Sequence, residues 1–141
     1  MLVIPSASDD HLGQGKWQAG GAVIVMRPLS GGSLLGALVT YQTDFAGDSA
    51  RADTSILAFQ PIVTLAMGGG YYVRSSAVCV FDFENSRNLV PIGIGIGRAF
   101  KGLGGVVNAF IEPRYSVYGK GQPAYQIFTG FNIQWAKKPK S

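Results

Sequence analysis

Residues 105–118 have the sequence GVVNAFIEPRYSVY, in which apolar and polar side chains alternate. Ile111 and Val117 belong to the apolar set, and Glu112 and Arg114 belong to the polar set. Successive side chains of a β-strand point to opposite faces of the sheet. The stretch therefore predicts a β-strand with one apolar face and one charged face.

The same alternation recurs along the chain and predicts about seven long strands plus an N-terminal stub within residues 1–5. The predicted strands lie near residues 16–26, 34–45, 54–67, 70–84, 88–100, 105–118 and 123–135. Several exceed the ~5–6 residues typical of globular strands and suit the ~9–11 tilted residues that cross a bilayer. We expect an all-β, antiparallel, up-and-down fold, with residues 1–136 as a single domain and 137–141 as a basic tail.

The composition restricts where the apolar side chains can lie. Hydrophobic residues make up 47% of the chain and charged residues 14%, against about 25% charged in ordinary soluble domains. No stretch approaches the ~18 consecutive apolar residues of a spanning helix. The apolar side chains must therefore fill a core or face lipid from strands.

Charge and cysteine content narrow the choice of partners. Much of the net charge of +4 comes from lysines in the tail, and no basic patch interleaved with aromatics can be assembled, so no nucleic-acid partner is expected. The single cysteine, Cys79, provides neither a disulfide nor a metal cluster. No cofactor is expected.

The connections between the predicted strands differ in length at the two ends of the sheet. Residues 27–33, 68–69 and 101–104 are short and glycine-rich, whereas residues 5–15, 46–53, 85–87 and 119–122 are mostly longer and more polar. Bacterial outer-membrane barrels combine short periplasmic turns with longer outer loops and two aromatic girdles. Aromatic residues also gather toward both strand ends. These patterns predict a transmembrane β-barrel of the bacterial outer membrane, with its apolar face toward lipid.

Charged residues in the polar phase of the strands are the candidate lumen residues. They are Lys16, Asp44, Arg74, Asp82, Glu84, Glu112 and Arg114. Burying such charges against an apolar core would be costly, whereas in a lumen they form salt bridges and select solutes. A second set of charges lies in loops: Asp9, Asp10, Asp48, Arg51 and Asp53. We expect Asp9 and Asp10, beside His11, to be solvated, with metal ligation as the alternative, and we expect Asp48, Arg51 and Asp53 to order their loop.

Catalysis and metal binding are not expected. No Ser-His-Asp arrangement can be built around the only histidine, which lies in a loop. The alternation of Gly93, Gly95 and Gly97 with isoleucines is followed by a strand, whereas a dinucleotide-binding motif requires a helix there. This glycine row predicts space for a bulky neighbour or a close backbone; strong curvature or a crossing ligand are the alternatives.

Several spaced motifs resemble a known family. Residues 4–17 (IPSASDDHLGQGKW), 45–48 (FAGD), 51–53 (RAD) and 59–61 (FQP) resemble motifs of bacterial outer-membrane barrel proteins that are often mislabelled neuromedin U. This family is related to outer-membrane proteins of the meta-pathway of phenol degradation. The resemblance covers nearly the whole chain. It implies the C-terminal portion of a barrel of roughly a dozen strands, and the recurrence of Asp48, Arg51 and Asp53 in its motifs favours loop ordering or a ligand-binding mouth. We expect the sheet to be closed by a missing N-terminal half, by a partner chain or by an eighth strand from residues 1–9.

The leading functional hypothesis is a passive channel or binding pore for small solutes, including hydrophobic or aromatic ones. Its partners would be the lipid bilayer and the solutes themselves. One alternative is a soluble, lipocalin-like barrel that holds an apolar ligand, with Phe59, Val63, Phe81 and Ile111 in its interior. The other is a purely structural membrane barrel whose lumen is plugged by side chains.

Overall fold

The computed structural model describes residues 1–3, 15–119 and 123–135. These residues form one antiparallel sheet of ten strand segments and a single 3-10 turn at Ser30–Gly32. The segments are β1 (Leu2–Val3), β2 (Lys16–Pro28), β3 (Leu34–Gly47), β4 (Ser55–Gly68), β5 (Tyr71–Ser75), β6 (Cys79–Asp82), β7 (Leu89–Gly93), β8 (Gly95–Gly102), β9 (Gly105–Gly119) and β10 (Tyr125–Gln134). The prediction of an all-β, antiparallel fold is confirmed.

The segments follow one another across the sheet as an up-and-down meander. β2 pairs with β3, β3 with β4, and β4 with both β5 and β6. β9 pairs with both β7 and β8 on one side and with β10 on the other. β5 and β6 thus occupy one predicted strand, and β7 and β8 occupy the next, so the sheet has seven long spans and the stub β1.

Proline explains why two of the spans are interrupted. The pairings on either side of each interruption keep the same register. When these registers are continued across the gaps, Pro61 lies opposite Ala77, Pro91 opposite Val78, and Pro113 opposite Ile94. Because proline has no backbone N–H, it cannot donate to the ladder. The three prolines therefore leave a patch of broken ladder in the middle of the sheet.

The hydrogen-bonded path through the six segments β4, β5, β8, β9, β7 and β6 returns to β4 around this patch. The outer margins of the sheet are different. Within the described residues, β10 pairs only with β9, and β1 covers only Gln18 and Ala19 of β2. The sheet therefore has two edges in the described part of the chain, β10 at one side and most of β2 at the other.

The two faces of the sheet differ in composition and in exposure. The apolar face carries Val39, which pairs with Val23 and Phe59, and Ile111, which pairs with Ile96; all five are exposed. The polar face carries the residues one position away in each strand. In the described chain only two hydrophobic residues, Ala77 and Val107, are buried, whereas Lys16, Gln18, Ser76 and Glu112 are buried polar residues.

Tight turns join the spans at one end of the sheet. Gly69 and Gly70, with φ of 59° and 80°, connect β4 to β5, and Leu103 and Gly104, with φ of 51° and 76°, connect β8 to β9. Two successive residues with positive φ give the hairpin turn that matches the twist of paired strands. The opposite end holds the longer connections 48–54 and 83–88.

Candidate functional site

A fully buried glutamate forms the centre of the polar face. Glu112 lies in the middle of β9, and its side chain has no solvent exposure. Its Oε2 lies 2.8 Å from Nε of Arg74, and its Oε1 lies 2.9 Å from Nε of Arg114. The two arginine side chains retain only 18% and 12% exposure. Two cations thus share one carboxylate, which leaves a formal charge of +1 on the cluster.

The carboxylate of Glu112 also accepts hydrogen bonds at the place where the ladder is broken. Ser76 lies between β5 and β6, and its backbone N–H donates to Oε1 of Glu112 over 3.1 Å while its hydroxyl donates to Oε2 over 2.9 Å. The carbonyl of Ser76 accepts from Nε2 of Gln60 over 3.0 Å. Buried backbone groups need such partners, and here side chains supply what the neighbouring strands do not.

The glycine row creates the space that this cluster occupies. A Cβ at Gly95 would lie 2.7 Å from Cβ of Glu112, and one at Gly93 would lie 2.7 Å from Cγ of Arg114. A Cβ at Gly97 would overlap the ring of Tyr72. The prediction that these glycines make room for bulky neighbours is confirmed, because each one lies beneath a large polar-face side chain.

Two aromatic rings cover the guanidinium groups. Cζ of Arg74 lies 3.7 Å from the ring centroid of Phe110, and Cζ of Arg114 lies 4.2 Å from that of Phe128. The two rings pack against each other with centroids 5.3 Å apart. A cation over an aromatic face is attracted by the ring quadrupole, and the attraction grows when water is excluded. The rings therefore hold the guanidinium planes in place.

A second charged cluster lies at the long-loop end of the sheet. Nζ of Lys16 pairs with Oδ2 of Asp44 over 3.1 Å and also with Asp53. Oδ1 of Asp44 accepts the backbone N–H of Thr54 over 2.6 Å. Lys16 is almost completely buried, whereas Asp53 is exposed. This cluster ties the start of β2 to the loop between β3 and β4.

Asp82, Glu84 and Asp48 lie in or beside the turns at the long-loop end of the sheet. Asp82 accepts the backbone N–H groups of Glu84 and Asn85 over 3.2 and 3.0 Å, so it orders the turn after β6. Glu84 was predicted inside a strand, but β6 ends at Asp82 and Glu84 is exposed in that turn. Asp48 orders its own loop by accepting the N–H of Ala50 over 2.9 Å.

The loop charges show one unexpected grouping. Asp53 was predicted only to order a loop or line a mouth, yet its carboxylate reaches Lys16 on the polar face. The backbone N–H of Arg51 donates to the carbonyl of Asp48 over 3.2 Å.

Asp9, Asp10 and the tail 137–141 lie outside the described residues. The described residues contain no group of three or more His, Cys, Asp or Glu side chains arranged to hold a metal ion.

A cavity of about 330 Å³ adjoins the central cluster on the side of the short turns. Its polar lining consists of Thr64, Tyr72, Arg74, Asn108 and Gln134, and Ala99 and Val106 complete it. The hydroxyl of Tyr72 donates to Oδ1 of Asn108 over 2.7 Å. Arg74 is the only charged residue of this lining, so we call the space the Arg74 cavity.

Comparison of the chain with protein-family models, with curated proteins and with solved structures found no match. The described residues include no helix with the length and hydropathy that crossing a membrane would require.

Proposed function

We propose that this chain forms part of the wall of a β-barrel in the bacterial outer membrane and acts as a passive channel or binding pore for small solutes. The observation that carries the proposal is the inverted distribution of polarity between the two faces. Ordinary domains bury apolar side chains and expose charged ones. Here Glu112 and Lys16 are buried, while Ile94 and Ile96 are 68% and 49% exposed.

Most exposed aromatic residues lie on either side of the exposed aliphatic ones, whereas Phe59, Phe128 and Phe131 are exposed further inside the strands. Toward the long-loop end lie Trp17, Tyr41, Phe45, Phe83, Tyr115, Tyr118 and Tyr125, and toward the short-turn end lie Tyr71, Phe100 and Trp135. Between them lie Val23, Val25, Leu35, Val39, Ile94, Ile96 and Ile111. Aromatic rings prefer the boundary between headgroups and acyl chains. Their placement supports an apolar face in contact with lipid.

One cation on the apolar face also fits a bilayer. Arg98 lies in β8, and its Cζ lies 4.6 Å from the ring of Tyr71 and 5.6 Å from that of Phe100. Both rings belong to the short-turn end of the sheet. A long basic side chain near such an end can extend its charge toward the headgroups. Arg98 is therefore compatible with the proposed orientation of this face.

The soluble, lipocalin-like alternative receives less support. It would place Phe59 and Ile111 inside a closed barrel, but these side chains are 40% and 46% exposed. The two sheet edges are part of our proposal, since unpaired strand edges do not persist in hydrocarbon. We propose that β2 and β10 pair with further strands of the same protein or of a partner chain.

Reconstitution into planar lipid bilayers tests the channel. The refolded protein should produce discrete conductance steps, whereas protein heated in detergent before addition should produce none. Insertion without conductance would contradict the channel and favour a plugged, structural barrel. Protein that stays folded and monomeric in water without detergent would refute the membrane proposal itself.

A further inference from the structure

The Arg74 cavity carries an inference that goes beyond a general pore. Its lining contains one cation and no carboxylate. Glu112 lies nearby, but its charge is shared with Arg114 as well as Arg74. The cluster therefore keeps one positive charge in excess, and an anion that enters the cavity would meet a net attractive field.

The donors of Arg74 are only partly used. Nε donates to Glu112 over 2.8 Å, and Nη2 donates to the hydroxyl of Ser76 over 2.6 Å. Nη1 makes no hydrogen bond to any residue in the described part of the chain. The ring of Phe110 covers one face of the guanidinium, which fixes its plane. A fixed plane with free donors along one edge suits a planar acceptor group.

Neutral polar groups in the cavity extend the set of donors. The hydroxyl of Tyr72 donates its only hydrogen to Oδ1 of Asn108, so Tyr72 itself adds no donor, but this bond directs the amide N–H groups of Asn108 away from Tyr72. Thr64 and Gln134 add a hydroxyl and an amide to the same lining. A carboxylate accepts several hydrogen bonds at once, and these side chains converge on a single space.

We propose that the Arg74 cavity is a binding site for a small organic monocarboxylate. A single guanidinium with one charge in excess balances one negative charge, which favours a monoanion over a dianion. The volume of about 330 Å³ accommodates a short acid. This proposal rests on the proposed function, because only a polar face turned away from lipid would meet dissolved ions.

Calorimetric titration of the refolded full chain in detergent micelles tests the site with propionate and its neutral isostere propionamide. Propionate should bind saturably and propionamide should not. Arg74→Gln should weaken propionate binding by about tenfold or more, because it removes a charge-assisted pair. The matched control Arg98→Gln, on the apolar face, should leave binding unchanged. Equal binding of the two probes, or undiminished binding by Arg74→Gln, would overturn the proposal.

Arg74→Gln also removes an ion-pair partner of Glu112, so a second variant tests the cavity without changing the ion cluster. Thr64→Val replaces a hydroxyl of the lining by a methyl group of similar volume and should weaken propionate binding by roughly threefold to tenfold. Unchanged affinity in this variant would count against the site. Saturable binding without conductance would contradict the channel and leave the site intact. Conductance without propionate binding would contradict the site and leave the proposed channel intact.

Discussion

Replacement of Glu112 by glutamine is the sharpest perturbation of the polar face. The carboxylate accepts hydrogen bonds from Arg74, Arg114, the backbone N–H of Ser76 and the hydroxyl of Ser76. A glutamine amide offers one acceptor oxygen in place of two, so one pair of these donors would face an N–H group. Each hydrogen bond to a charged group contributes about 1.5–3 kcal/mol. Breaking a buried ion pair by removing one partner costs about 3–5 kcal/mol.

We therefore expect Glu112→Gln to lower the free energy of unfolding by about 3–5 kcal/mol. Urea titration of the protein refolded into lipid vesicles, with linear extrapolation to zero urea, gives this quantity. The chain offers a matched control, because its other glutamate, Glu84, is exposed in a turn. Glu84→Gln should change the free energy by less than about 0.5 kcal/mol. If Glu112→Gln also changes the free energy of unfolding by less than about 0.5 kcal/mol, the carboxylate of Glu112 does not stabilise the interrupted ladder.

Three further substitutions probe the glycine row, the apolar face and the cavity, each by the same urea titration. Gly95→Ala should lower the free energy of unfolding by about 1–3 kcal/mol through overpacking against Glu112. The control Gly21→Ala, where a Cβ meets nothing within 4 Å, should not lower it. Equal losses in the two variants would exclude a packing role for Gly95. Ile111→Arg should lower the free energy of unfolding by ~2–4 kcal/mol near the bilayer midplane, while Asn132→Arg, on the polar face, should lower it far less. The opposite ranking would mean that the polar face, and not the apolar face, contacts lipid. Tyr72→Phe should lower the free energy of unfolding by about 0.5–1.5 kcal/mol through the lost hydrogen bond to Asn108. Tyr71→Phe, at a tyrosine exposed on the other face, serves as its control. Similar losses in the two variants would show that the hydrogen bond to Asn108 contributes nothing to stability.

The alternation of side chains was sufficient to predict the strands, because a period of two is a local property of the chain. The sixth predicted strand, 105–118, corresponds to β9 at Gly105–Gly119. The interruptions were not predictable in the same way. Pro61 disturbs the sheet where it lies opposite Ala77, and that neighbour depends on the register between two strands, which a single strand's pattern does not determine.

The candidate site was predictable only in part for a similar reason. Glu112 and Arg114 share a face by parity, so their proximity followed from the sequence. Ser76 is a small residue in a broken ladder, and nothing in its own strand signals that it would meet Glu112. Phe128 offered a weak signal, since it is an aromatic residue in the polar phase between Gln126 and Gly130. Its role as a cover for Arg114 depends on the pairing of β9 with β10.

The membrane orientation of the sheet is tested most directly by fluorescence quenching from the two faces. In a Cys79→Ser background, Ile111→Cys and Asn132→Cys each provide one labelling site for an environment-sensitive dye, on opposite faces of neighbouring strands. After refolding into vesicles, the dye at position 111 should be quenched by lipids brominated on their acyl chains. The dye at position 132 should be quenched by aqueous iodide and not by brominated lipid. Quenching of position 111 by iodide alone would contradict the account.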